Sequence, residues 1–191
     1  MTRPSVGLFG AVMGLAMLVA PVSTAGAQAP LSISIFGGGV FPTGSLGDAL
    51  KTGWIVGANL DHRFSGGRSP ISLRLDLAYG SSSFENFGGN LDLKLNSFYG
   101  MAYALLHPNI GQSDQSSMDL YVGGGGGFVN ESLTGGGSST TNGALSGVVG
   151  GAAPIGSIFL FFEGRWVLIF SEGSTGSVFP VVAGIRIPLG G

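Results

Sequence analysis

The chain of 191 residues has no cysteine. It therefore holds together by packing and backbone pairing, without the disulfides on which many small exported domains rely. Charge is also scarce. Only 9% of residues are Asp, Glu, Lys or Arg, against roughly 25% in an ordinary soluble domain. A water-soluble domain so poor in charge would expose an unusual amount of uncharged surface. The formal net charge of -2 gives no basic footprint, which argues against a nucleic-acid partner. Beyond residue 30 no segment approaches the ~18 uninterrupted apolar residues of a transmembrane helix, and none has helical periodicity. If the mature chain lies in a membrane, strands must do the spanning.

Glycine and apolar residues fill the space that charge leaves, with 37 glycines and a hydrophobic share of 44%. The first residues have the features of a secretory signal: Arg3, then the apolar stretch 5–20 (SVGLFGAVMGLAMLVA), then small-x-small sites at Ala25-Gly26-Ala27 and Ala27-Gln28-Ala29. Residues 1–29 are thus expected to be removed by cleavage after 27 or 29, leaving one domain over 30–191. Reading the same run as a transmembrane anchor is disfavoured, because it is short and Gly-rich.

The segment "ISLRLDLAYG" (71–80) places Ile71, Leu73, Leu75, Leu77 and Tyr79 on one face and Ser72, Arg74, Asp76, Ala78 and Gly80 on the other. Strict alternation is the period of a β-strand. The same pattern repeats, and predicts strands over 31–41, 53–64, 71–81, 91–107, 118–129, 144–153, 158–170 and 178–189, separated by Gly-, Ser-, Asn-, Asp- and Pro-rich connectors. Eight strands of this length suit a transmembrane barrel.

Alternation alone does not say which face is wet, because a lipocalin-like soluble barrel would bury the leucines. The charges decide in favour of the membrane. Asp61, Arg63, Arg74, Asp76, Asp92, Lys94, Asp119, Glu163, Arg165 and Arg186 occupy the polar faces as five acids and five bases, whereas the aliphatic and aromatic faces carry almost none. These ten are expected to point inward and pair, since an unpaired charge away from water is costly. The expected fold is all-β: an eight-stranded antiparallel up-and-down transmembrane β-barrel with a filled interior. Closure also removes the sheet edges, which hydrocarbon cannot solvate.

The stretch "GGGVFPTGSLGDALKTGWIVGANLDHRF" (37–64), with "FFEGRW" (161–166) and "VFPVVAGIRIPL" (178–189), resembles the outer membrane protein β-barrel domain family. The resemblance implies a small barrel in a Gram-negative-type outer membrane, with both termini periplasmic and outer loops at 42–52, 82–90, 130–143 and 171–177. It implies contact with outer-membrane lipids and lipopolysaccharide, a monomer, and passage through periplasmic chaperones and the barrel assembly machinery. Such chains commonly end on an aromatic residue. This one ends Ile187-Pro188-Leu189-Gly190-Gly191, which implies weaker recognition of its last strand by that machinery.

Catalytic and metal motifs are sparse. Lipid A deacylases of this class resemble one another in a His-x-Ser motif near a Glu, and the palmitoyltransferase type uses His, Asp and Ser at the outer rim. The two histidines read His62-Arg63-Phe64 and His107-Pro108-Asn109 and are expected at the periplasmic ends of their strands, away from any outer-loop Ser or Asp. No cofactor is expected. Two distant histidines and no cysteine give no zinc site. Asp48, Glu85, Glu131 and Glu172 in four different outer loops read as solvated charges in preference to a calcium site. The run Gly123–Gly127 lacks the Lys-Ser/Thr of a phosphate loop. It is expected to face Gly147, Gly150 and Gly151 and let the wall bend. The expected function is non-enzymatic: a structural, surface-shielding or adhesive barrel working through its outer loops. The alternatives are a minor channel for small or apolar molecules and, less favoured, a lipid-modifying enzyme.

Overall fold

The computed structural model describes residues 31–64, 69–84, 93–108, 118–134 and 139–189. Period-two alternation becomes eight strands: β1 Leu31–Thr43, β2 Gly53–Arg63, β3 Ile71–Ser83, β4 Lys94–Leu106, β5 Asp119–Leu133, β6 Ser139–Ile155, β7 Ile158–Ser171 and β8 Ser174–Leu189. Each pairs antiparallel with the next, and β1 returns to β8 to close the ring. One short 3-10 turn, Gly44–Leu46, interrupts this all-β, up-and-down plan. Closure gives every strand two neighbours, so no edge is left unpaired.

The alternation is inside-out relative to a soluble barrel. On β3, Leu73 and Leu75 are 51% and 41% exposed, while Arg74 between them is 1% exposed. The leucines therefore face outward, as a transmembrane barrel requires, and the lipocalin-like arrangement is excluded. The outward faces carry a continuous apolar belt. Its aromatic members near the loop end include Trp54 against Tyr79 (ring centroids 5.8 Å apart) and Phe98 against Phe128 (6.2 Å).

Strands and connectors differ from the sequence expectation in three places. β5 and β6 stay paired as far as Ser132 and Ser139, so the predicted loop 130–143 is mostly strand. β8 begins at Ser174, because Glu172-Gly173 suffices to turn the chain, with Gly173 at φ 77°. The Gly-rich patches coincide only at Gly124, which faces Gly147. Gly123–Gly127 faces Val148 to Ala144, whereas Gly150 and Gly151 face Tyr121 and Leu120. The glycine requirement of β5 comes from its other neighbour. A Cβ at Gly123, Gly125 or Gly127 would collide with the backbone carbonyl of Ala104, Ala102 or Gly100 on β4. Only glycine permits that close approach of the two backbones.

Candidate functional site

The lumen is filled in two different ways along its axis. Its centre is a four-membered ionic ring. Arg74 and Asp76 come from β3, Glu163 and Arg165 from β7, two strands that face each other across an eight-membered ring. Arg74 grips Glu163 across the lumen (Nη1 to Oε1 2.5 Å, Nη2 to Oε2 3.3 Å). Arg165 donates to the same carboxylate through Nε and Nη2 (2.9 and 2.7 Å) and reaches Asp76 with Nη1 (3.0 Å). Arg74 Nε lies 3.0 Å from Asp76 Oδ1 and closes the ring. Tyr121 donates its hydroxyl proton to Glu163 at 2.7 Å. Arg165 lies over the Phe36 ring at 4.5 Å and Arg74 over Tyr103 at 5.1 Å. Glu163, at 0% exposure, is thus held by two guanidinium groups and a phenol. That multiplicity is what a carboxylate needs to stay charged out of water.

A second cluster sits nearer the end where both termini emerge. Asp119, the first residue of β5, accepts from Arg63 of β2 (2.9 Å) and Arg186 of β8 (3.0 Å), and pairs with His107 Nδ1 (2.8 Å). His107 follows β4 in the inward register and is 1% exposed. Its Nε2 lies 3.1 Å from Ser72 Oγ, and Ser72 donates to Asp61 at 3.0 Å. Arg63 Nη2 also stands 2.6 Å from His107 Nδ1. An arginine donor and an aspartate acceptor therefore compete for one ring nitrogen.

Ser72, His107 and Asp119 follow the order of a nucleophile, its base and the base's orienting acid. Their burial and bonding do not suit that chemistry. Ser72 is 0% exposed, and its proton is directed to Asp61. The arrangement ties β2, β3, β4 and β5 together at one end of the barrel.

Towards the loops the filling becomes apolar. Val40, Ile55, Val129, Val167, Ile169 and Val178 are buried there, and Leu46 from the 3-10 turn packs over Gly176. At the rim Thr43 bonds Ser177 (2.8 Å between hydroxyls), and Asn142 donates to Glu131 at 2.8 Å.

Asp61, Arg63, Arg74, Asp76, Asp119, Glu163, Arg165 and Arg186 lie inside the barrel. Lys94 does not. It opens β4 in the register of outward-facing Phe98 and is exposed, because the inward set of β4 is Ser97, Tyr99, Met101, Tyr103 and Leu105. The alternation Leu91-Asp92-Leu93-Lys94-Leu95 assigned it the wrong face; Asp92 lies outside the described residues. The sequence reading missed Ser72, His107, Tyr103 and Tyr121. His107 could have been found by extending the inward register of β4 two residues past Leu105. His62 is exposed on the outside, edge-on to Phe64. Among the described residues no three His, Asp or Glu side chains form a group able to hold a metal.

No family model matches the chain, and no curated protein matches it. Among solved structures it is similar to Neisserial surface protein A, with a TM-score of 0.58 and 19% identity over 82% of this chain and 96% of that one. It also aligns with Ail, the attachment invasion locus protein of Yersinia pestis, at a TM-score of 0.45 and 20% identity over 84% and 99% of the two chains. At such identities the likeness is one of fold.

Proposed function

We propose that this protein is an integral outer-membrane barrel, non-enzymatic and non-conducting, whose role is structural, surface-shielding or adhesive through the loops at the end opposite the termini. The observation that carries the reading is the inside-out packing: a closed ring of strands with apolar side chains outside and an interior in which Arg63, Arg74, Arg165 and Arg186 each pair with a carboxylate. In hydrocarbon, only closure satisfies every backbone group of a sheet. The outward run from Ile71 to Tyr79 rises about 26 Å along the strand at ~3.3 Å per residue. At a tilt of roughly 40° it spans about 20 Å of bilayer, near the ~25 Å apolar band of such barrels. The Neisserial neighbour's description as a surface protein agrees with loops that meet the outside.

Side chains fill the lumen from both halves, which favours the closed barrel over the channel. Purified mature protein should insert into lipid vesicles, run faster on gels unheated than boiled, and stay silent in planar bilayers. Steady single-channel steps, enlarged by Glu163→Ala or Arg165→Ala, would reject the closed interior. Protease added to intact cells should reach the loop end; cleavage confined to 108–117 would invert the topology.

A further inference from the structure

The chain has only two lysines, Lys51 and Lys94, and the fold brings both to one spot on the outer rim. Lys51 N–H donates to Ser83 O at 2.8 Å, and Lys94 stands directly opposite Ser83 in the β3–β4 register. The two lysines therefore flank the end of β3, with backbones about 10 Å apart at a strand spacing of ~4.8 Å. Both side chains are exposed, and among the described residues neither has an ion-pair or hydrogen-bond partner. Exposed Asp48, three residues before Lys51, pairs with neither. The described arginines Arg63, Arg74, Arg165 and Arg186 are instead engaged inside the barrel.

What lies beneath this pair gives it a direction. Between the lysines the outward face of β3 carries Ser83 and Ser81. One row lower comes the aromatic shelf of Trp54, Tyr79 and Phe98, which Ser81 and Tyr79 meet in register. Aromatic rings of this kind sit at headgroup level. Below the shelf the wall has two apolar hollows of about 500 and about 530 Å³. Ala58 floors both, and Gly100 and Ala102 extend the second. Leu75 and Leu77 form a ridge between, and Phe128 bounds the far side. Small residues flanked by large ones leave shallow apolar depressions in the belt, the upper one bounded by Tyr79 and Phe98 of the shelf.

We propose that Lys51, Lys94 and the serine hydroxyls between them bind the headgroup phosphate of a membrane lipid whose acyl chains lie in the depressions over Ala58 and Ala102. Lysine ammonium is a compact donor suited to phosphate, and a cation beside a bilayer surface favours anionic lipid. The charge selects the headgroup, and the depressions select a lipid over a soluble anion. Given the topology of the proposed function, on which this step rests, the lysines face the outer leaflet. The ligand class is then a phosphorylated glycolipid of the lipopolysaccharide type.

The test uses the mature barrel in phosphatidylcholine nanodiscs doped with diphosphoryl lipid A, with native mass spectrometry counting retained lipid. Wild-type protein should retain lipid A in preference to phosphatidylcholine. Lys51→Gln with Lys94→Gln should weaken retention about thirtyfold, on the order of what two surface cations contribute against anionic lipid. Ala102→Leu, which fills a depression without touching either lysine, should weaken it while leaving the gel shift of the folded barrel unchanged. Equal retention by wild type and the double variant would overturn the site. Binding of inorganic pyrophosphate as tight as that of lipid A would overturn the acyl depressions and leave an adventitious anion site. Failure to insert into any nanodisc would instead sink the membrane reading itself, so the two failures are distinguishable.

Discussion

In the half of the lumen nearer the termini, eight charges and a histidine are knotted so that Glu163 and Asp119 each receive several donors. In the half nearer the loops the same cross-section is filled by Val129, Val167, Ile169 and Val178, with polar pairs only at the rim. The two halves are packed by opposite physics. The apolar filling works by volume, and each side chain contributes separately. The ionic filling works only as a set, because each charge is tolerable only while its partners remain. The difference teaches that a narrow barrel can be packed either way, and that the ionic half couples strands that lie opposite each other.

The sharpest way to break the comparison is to remove the carboxylate at the centre. Glu163→Ala leaves Arg74 and Arg165 to share Asp76 and Tyr121 without its acceptor, and should cost about 3–5 kcal/mol, measured by urea unfolding of the barrel in lipid vesicles. Arg74→Ala belongs to the same class. The double variant should lose clearly less than the sum of the two, because both act through one ring. A purely additive pair would show that the ring is not a unit.

Ile169→Ala in the apolar half should cost about 2–4 kcal/mol and add to Arg74→Ala without coupling. Conductance sharpens the contrast. Glu163→Ala alone should remain silent, because the apolar half still seals the lumen. Combined with Ile169→Ala and Val167→Ala it should admit ions. Steps from Glu163→Ala alone would show that the apolar half seals nothing.

His107→Leu removes the ring that joins Asp119 to Ser72 and should cost about 1–2 kcal/mol. In the intact protein at high pH, Arg63→Leu should move the His107 ring proton to Nδ1, towards Asp119, as read by ring ¹⁵N shifts. An unchanged tautomer would mean Arg63 does not compete for that nitrogen. The smallest effect belongs to the rim, where Thr43→Val loses the half-exposed hydroxyl's contacts with the Ser177 carbonyl and hydroxyl and should cost about 0.5–1 kcal/mol. A loss at Thr43 as large as that at Glu163 would erase the distinction between rim and centre.

Much of the fold was legible in the amino-acid order. Strand residues alternate between only two faces, so a charge such as Arg74 between two leucines declares its side as soon as one side is known to be apolar. The scarcity of charge told which side that was. Boundaries were less legible at Lys94 and at 130–143. There, alternation fades into loop composition, and pairing with the neighbouring strand decides where the ladder stops.

Partner choice was not legible at all. Arg74 and Glu163 stand 89 positions apart. Nothing local distinguishes Glu163 from Asp119 as the arginine's mate, since opposition of β3 and β7 exists only once eight strands have closed. His107 shows the same limit: the sequence placed it at the end of its strand, but its partners Asp119, Arg63 and Ser72 met it only when β2, β3 and β5 surrounded it. The lysines are the converse case. Forty-three positions separate Lys51 from Lys94 in the chain, and the pairing of β3 with its two neighbours set them on either side of Ser83. Alternation along each strand assigned most side chains to inside or outside. Only the closed ring, by bringing remote strands to a fixed spacing and register, decided which of them meet.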